Sequence, residues 1–138
     1  MGVYVNPSNN GFKELIVSGS YIDKTGMISY VNSVLNTRAK EICFTRPRRF
    51  GKTSAADMLC AYYSCGCDSK DLFQNLKITD DPSFEKHLNQ YPVIYFGLID
   101  FMTRESVPRE QVVKSIQQNI IAELALEYPE AAVQPLLS

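Results

Sequence analysis

A surplus of charge of either sign is missing from this 138-residue chain, in which 14 Lys and Arg face 15 Asp and Glu for a net charge of −1. That balance argues against a generally basic nucleic-acid binder and leaves any nucleic-acid contact to a local patch. No stretch of about 18 apolar residues occurs, and no basic segment followed by an apolar core opens the chain, so neither membrane spanning nor secretion is supported. A cytoplasmic protein is the default expectation. Histidine occurs once, as His87, with no serine or carboxylate at a telling spacing, which speaks against a catalytic role. No C-x-x-C pair is present either. Cys65-Gly66-Cys67 is the closest spacing, and with Cys60 it makes a poor zinc pattern, so the cysteines are read as thiols, Cys43 and Cys60 as small buried hydrophobes. Internal repeats and low-complexity linkers are also absent, so the chain reads as one domain or one part of a domain. Its composition, 45% hydrophobic and 21% charged, is otherwise that of an ordinary globular protein.

What is present is a phosphate-binding pattern. Arg46, Pro47, Arg48, Arg49, Phe50, Gly51, Lys52 and Thr53 lie between the apolar run Ile42-Cys43-Phe44 and a helix-like stretch that opens at Ser54. A triphosphate needs converging backbone N–H groups, a lysine that reaches the β- and γ-phosphates and a hydroxyl for magnesium. Gly51, Lys52 and Thr53 supply these in order, and the N-terminus of a following helix would add N–H donors and partial positive charge. The usual G-x-x-x-x-G-K-[ST] pattern asks for glycine where this chain has Arg46, and Pro47 removes one further donor. Three arginines compensate with permanent charge and bidentate phosphate geometry. The bland reading is a strand-to-helix turn with solvated arginines.

The residues beyond the loop carry a resemblance. Gly11-Phe12-Lys13-Glu14-Leu15-Ile16, Tyr21-Ile22-Asp23-Lys24-Thr25, the loop from Arg46 to Thr53, Met58-Leu59-Cys60-Ala61-Tyr62-Tyr63, Leu72-Phe73 and Tyr91-Pro92-Val93-Ile94-Tyr95 together resemble the opening of the predicted AAA-ATPase-like family of bacteria. In that family the loop is typically Arg-Pro-Arg-Arg-Phe-Gly-Lys-Ser/Thr, which makes Arg46 a family trait. The resemblance implies ATP and Mg2+ as ligands and a P-loop ATPase domain. It also implies an acidic segment, roughly Ile-Asp-Glu-Tyr-Asp, and often a nuclease-like domain of the PD-(D/E)XK type. Neither is visible in this sequence.

Punctuation and periodicity divide the chain into an N-terminal segment and helix over residues 1–40, then strand, loop, helix, strand and helix over 41–138. Phe12, Leu15 and Ile16 mark a helical turn or two. Asp23 or Thr25 can cap a helix with apolar positions Met27, Ile28, Val31 and Leu35, ending near residues 38–40. Residues 41–45 read as the first strand. Residues 53–64 read as a helix with Ala56, Leu59, Cys60 and Tyr63 on one side, stopped by Gly66, and Leu72-Phe73 as a plug for the core. Asp81-Pro82 starts a short helix. The apolar run 93–99 suits a central parallel strand covered on both faces, and 111–127 a helix with one buried stripe, stopped by Pro129. The resulting expectation is a three-layer α/β fold of the P-loop NTPase type, an incomplete parallel sheet with flanking helices, whose missing strands come from elsewhere in the protein or from a partner chain.

Two functions stay open on the sequence. In one, the chain is part of an ATP-hydrolysing machine, with Lys52 neutralising developing charge and Thr53 holding magnesium; Asp100, at the end of the second apolar run, is the one candidate for a second magnesium ligand, its alternative being a strand-end cap. In the other, it is a non-catalytic nucleotide- or nucleic-acid-binding module that uses the arginines as an anion grip. No Asp-Glu pair stands at a strand end, since Phe101 follows Asp100. Asp23 and Lys24 read as a solvated helix start or as residues near the base pocket.

Overall fold

Buried aromatic side chains organise a mostly helical chain in the computed structural model, which describes residues 3–19, 21–45, 52–98 and 108–130. Helix α1 (Asn10–Ser18) turns Phe12 fully inward. It closes at Gly19, where a φ of 72° brings the Gly19 N–H to the Ile16 carbonyl, a geometry that costs glycine nothing. Helix α2 (Gly26–Val34) starts after Thr25, as its sequence predicts, and buries Ile28 and Asn32. It stops short of the predicted end because Leu35 becomes extended and Asn36 takes a φ of 63°, a conformation asparagine tolerates.

Helix α3 (Lys52–Tyr63) is buried over its second half, with Met58, Ala61 and Tyr62 withdrawn from solvent and Cys60 nearly so. The predicted stripe of Ala56, Leu59, Cys60 and Tyr63 is rotated: Tyr62 is the fully buried aromatic, and Ala56, Leu59 and Tyr63 are half-buried. The difference arises because α3 is covered on two sides, by α1 and by the segment that carries Phe73, Ile78 and Phe84. Phe73 does plug the core. It sits in a 3-10 turn (Lys70–Phe73), stacked on Phe12 at 4.9 Å and edge-on to Tyr62 at 5.7 Å between ring centroids. A second 3-10 turn (Lys77–Asp80) buries Ile78, and helix α4 (Phe84–His87) follows Asp81, whose carboxylate accepts the Ser83 N–H at 2.8 Å and its hydroxyl at 2.6 Å. Helix α5 (Val112–Glu127) matches the predicted span closely and buries Val112 and Ile116 against Tyr4 and Ile120.

The expected parallel sheet is not formed among the described residues. Pairing is limited to two isolated bridges, Val5 with Ile94 antiparallel and Ser64 with Tyr91 parallel. Residues 41–45 make no ladder: Ile42 is half-buried, and Glu41, Cys43, Phe44 and Thr45 are exposed, so the buried Cys43 that the sequence predicts is also corrected. In the second apolar run Ile94, Phe96 and Leu98 are 51%, 41% and 58% exposed, whereas a central parallel strand is covered on both faces. The physical cause lies in the neighbouring segment. Asn6 takes a φ of 49°, which bends the chain away after one bridge, and its side-chain carbonyl accepts the Val93 N–H at 2.9 Å, taking the place of a ladder acceptor. Residues 3, 4 and 5 turn their N–H groups to the Glu123 carboxylate and away from any strand.

Candidate functional site

Of the residues predicted to hold a nucleotide, Lys52, Thr53 and Ser54 form the first turn of α3, Lys52 and Thr53 exposed and Ser54 half-buried. Arg46, Pro47, Arg48, Arg49, Phe50 and Gly51 lie outside the described residues, as does Asp100. The first turn of a helix carries N–H groups without intrahelical acceptors, so a lysine and a threonine there stand where an anion is attracted. No group of three metal-ligating side chains occurs among the described residues. Magnesium does not require one, because it keeps several waters and is bound by one or two protein oxygens together with phosphates. The exposed Thr53 hydroxyl is compatible with that mode.

Helix α3 is held rigidly at its other end. Tyr62 donates its hydroxyl proton to the Phe84 carbonyl at 2.7 Å and accepts from Asn32 at 3.1 Å. Tyr63 donates to the Asn32 side-chain oxygen at 2.6 Å, and Asn32 also reaches the Ser83 hydroxyl at 3.0 Å. Burial pushes the Tyr62 and Tyr63 hydroxyls above their ordinary range, so both stay protonated donors. Cys60 is pushed up to about 12, first by burial and then by Asp57 and Cys67, which makes it an inert thiol.

The middle of α3 meets α1 at Gly11 and Asp57. A Cβ at Gly11 would lie 2.9 Å from the Asp57 carboxyl carbon, so the Asp57 side chain occupies the space that a larger residue at position 11 would need. Burial raises the Asp57 carboxyl above the usual range, and Glu14 on α1 raises it further. At the next residue of α3, the Tyr21 hydroxyl contacts the Met58 sulfur at 3.0 Å. Asp57 was not identified from the sequence; its signal is a carboxylate inside Ala55-Ala56-Asp57-Met58, directly after the loop.

Asp23 does more than begin a helix. Its carboxylate accepts the Thr25 N–H at 2.9 Å, the Thr25 hydroxyl at 2.6 Å and, from across the fold, the Lys77 N–H at 2.8 Å. Thr25 in turn accepts the Ile78 N–H at 3.1 Å and is fully buried. This cross-link fixes α2 against the turn after Leu76. His87, for which the sequence indicates no catalytic role, is buried with its ring stacked on Tyr91 and Nδ1 2.6 Å from the Tyr91 hydroxyl. No helix among the described residues is long and apolar enough to cross a membrane.

A family model described as a predicted AAA-ATPase matches residues 9–136. No curated protein and no solved structure matches the chain.

Proposed function

The chain belongs to the predicted AAA-ATPase family, and from that premise we propose that it binds ATP with magnesium at the start of α3. The observation that carries this reading is the sequence Gly51-Lys52-Thr53 running into the exposed first turn of a 12-residue helix. The N–H groups of that turn and the helix dipole favour the phosphates. The Lys52 ammonium neutralises charge on the β- and γ-phosphates, and the Thr53 hydroxyl is the protein oxygen offered to magnesium. Arg46, Arg48 and Arg49 add charge-assisted hydrogen bonds from the loop. The Thr53 hydroxyl would hold magnesium, which would supply charge neutralisation at the phosphates.

The anchored second half of α3 gives this reading a mechanical basis. A phosphate site on a helix end is only as well placed as the helix, and α3 is fixed by Gly11 packing on Asp57, by Met58 and by the Tyr62 and Tyr63 hydroxyls. Titration calorimetry with ATP and magnesium tests it. The parent chain should bind, and Lys52→Ala should lose most of the affinity while keeping the parent's circular dichroism, because Lys52 is exposed and takes no part in the core. Equal binding by the folded variant and the parent would remove the basis of the proposal.

A further inference from the structure

The N-terminal residues and the last helix make a second, smaller packing unit. Val112 and Ile116 of α5 pack with Tyr4 and Ile120, a cluster separate from the core of Phe12, Ile28, Met58, Tyr62, Phe73 and Phe84. The polar ties between these two segments, 118 to 122 residues apart in sequence, converge on a few atoms. One Glu123 carboxylate accepts three consecutive backbone N–H groups, from Val3 at 2.9 Å and from Tyr4 and Val5 at 2.8 Å each. Asn6 then donates its side-chain amide to Glu127 at 3.2 Å and to the Tyr128 hydroxyl at 3.0 Å. Three N–H groups aimed at one carboxylate form an anion nest, and hydrogen bonds to an ionised acceptor are roughly twice as strong as neutral ones.

The boundary of this unit is also marked. Asn6 and Tyr4 pair with Val93 and Tyr95: the Asn6 N–H meets the Val93 carbonyl at 2.7 Å, and the Tyr95 N–H meets the Tyr4 carbonyl at 2.8 Å. One residue further, Pro7 faces the other way, its carbonyl accepting the Ser64 hydroxyl at 2.9 Å at the end of α3. Tyr91 likewise belongs to the larger core, exchanging backbone hydrogen bonds with Tyr63 at 3.0 Å and Cys65 at 2.9 Å.

We infer that residues 3–6 and α5 form a clasp that opens as one unit, fastened by the Glu123 carboxylate on the N–H groups of Val3, Tyr4 and Val5, while the core built on α1 to α4 stays closed. Small apolar area and a few concentrated polar ties are the conditions under which a segment opens below the cost of global unfolding. Opening frees the N–H groups of Val93 and Tyr95 but leaves those of Tyr91 and Cys65 bonded, so the unit has an edge that can be read residue by residue.

Amide hydrogen exchange on the full chain, followed by NMR, tests this. Glu123→Gln removes the charge and keeps the shape. It should speed exchange at Tyr4, Val5, Asn6, Val93, Tyr95 and α5 by about tenfold or more, the loss expected for a hydrogen bond to a charged acceptor. Tyr91, Cys65 and the buried half of α3 should keep the parent's rates, and Glu130→Gln should change neither group. Equal acceleration of both groups would show that the fold has no separate clasp, and no acceleration would show that Glu123 does not fasten it. The parent chain in low denaturant gives an independent reading: two groups of amides with different denaturant dependence support the clasp, and one shared dependence overturns it.

Discussion

A Cβ at Gly66 would lie 2.6 Å from the backbone carbonyl oxygen of Asn6, so the turn after α3 and the N-terminal segment touch through a missing side chain. Carbonyl oxygen and backbone cannot swing aside as a side chain can. The contact sits between Pro7, tied to Ser64, and Asn6, tied to Val93. Gly66→Ala should therefore destabilise the protein by about 1–3 kcal/mol, the usual cost of forced overpacking. Urea denaturation reads this; an alanine variant as stable as the parent would mean that the two segments can separate at no cost.

Tyr62→Phe removes one oxygen from a closed network. The Phe84 carbonyl loses its 2.7 Å donor and Asn32 one of its acceptors, in a part of the core that water does not reach. The expected loss is about 1–3 kcal/mol, the penalty of leaving a buried polar group unmade. A midpoint of unfolding equal to the parent's would contradict the network as described.

Asp23 links pH to stability at the acid end. Burial opposes its charge, but hydrogen bonds from Thr25 and Lys77 outweigh that penalty and hold the carboxyl below its ordinary value. A carboxylate depressed in the folded state contributes stability that is present above the unfolded pKa of about 3.9 and lost as pH falls through the folded value. Asp23→Asn should lower stability at neutral pH and flatten the acid limb of the curve of stability against pH. An unchanged acid limb would separate Asp23 from the cross-link to Lys77.

His87 acts in the same direction at higher pH. Burial, with Lys86 beside it, holds the imidazole below its ordinary value of 6.5, so the folded protein prefers the neutral ring bonded to Tyr91. Its contribution is present above about 6.5 and is lost as pH falls toward the folded value. The NMR titration of His87 should show a midpoint below that of a free histidine, and in His87→Gln the stability should lose its slope over that pH range. A midpoint at or above 6.5 would contradict this.

Turnover is expected to lag binding. Lys52 and Thr53 can hold phosphates, but no Asp-Glu pair follows the apolar run ending at Ile99, and an unoriented water leaves the chemical step without a main source of acceleration. Phosphate release by the purified chain should stay near the Lys52→Ala background at saturating ATP and magnesium. Robust turnover abolished by Asp100→Asn would overturn this and assign Asp100 to the metal.

The local elements were legible in the sequence because they depend on neighbours in the chain. The span of α5 follows from its apolar spacing, and α2 and α3 begin close to where Thr25 and the residues after Gly51 place them, whereas the short helix begins at Phe84 and not at Asp81-Pro82, because the Asp81 carboxylate closes a turn on Ser83 first. The proposed nucleotide site is local in the same sense, since the proposal asks of Lys52 and Thr53 only that they stand at the start of one helix. Tertiary structure alone decided the rest. Apolar runs at 41–45 and 93–98 read as strands, yet a strand exists only where a second segment offers its edge, and Asn6 and Glu123 take up the edge of the segment at hand. Asp57 against Gly11, Asp23 on Lys77, Tyr62 rather than Tyr63 at the centre, and the exposure of Cys43 all depend on which distant surface arrives, and no spacing along the chain encodes that arrival.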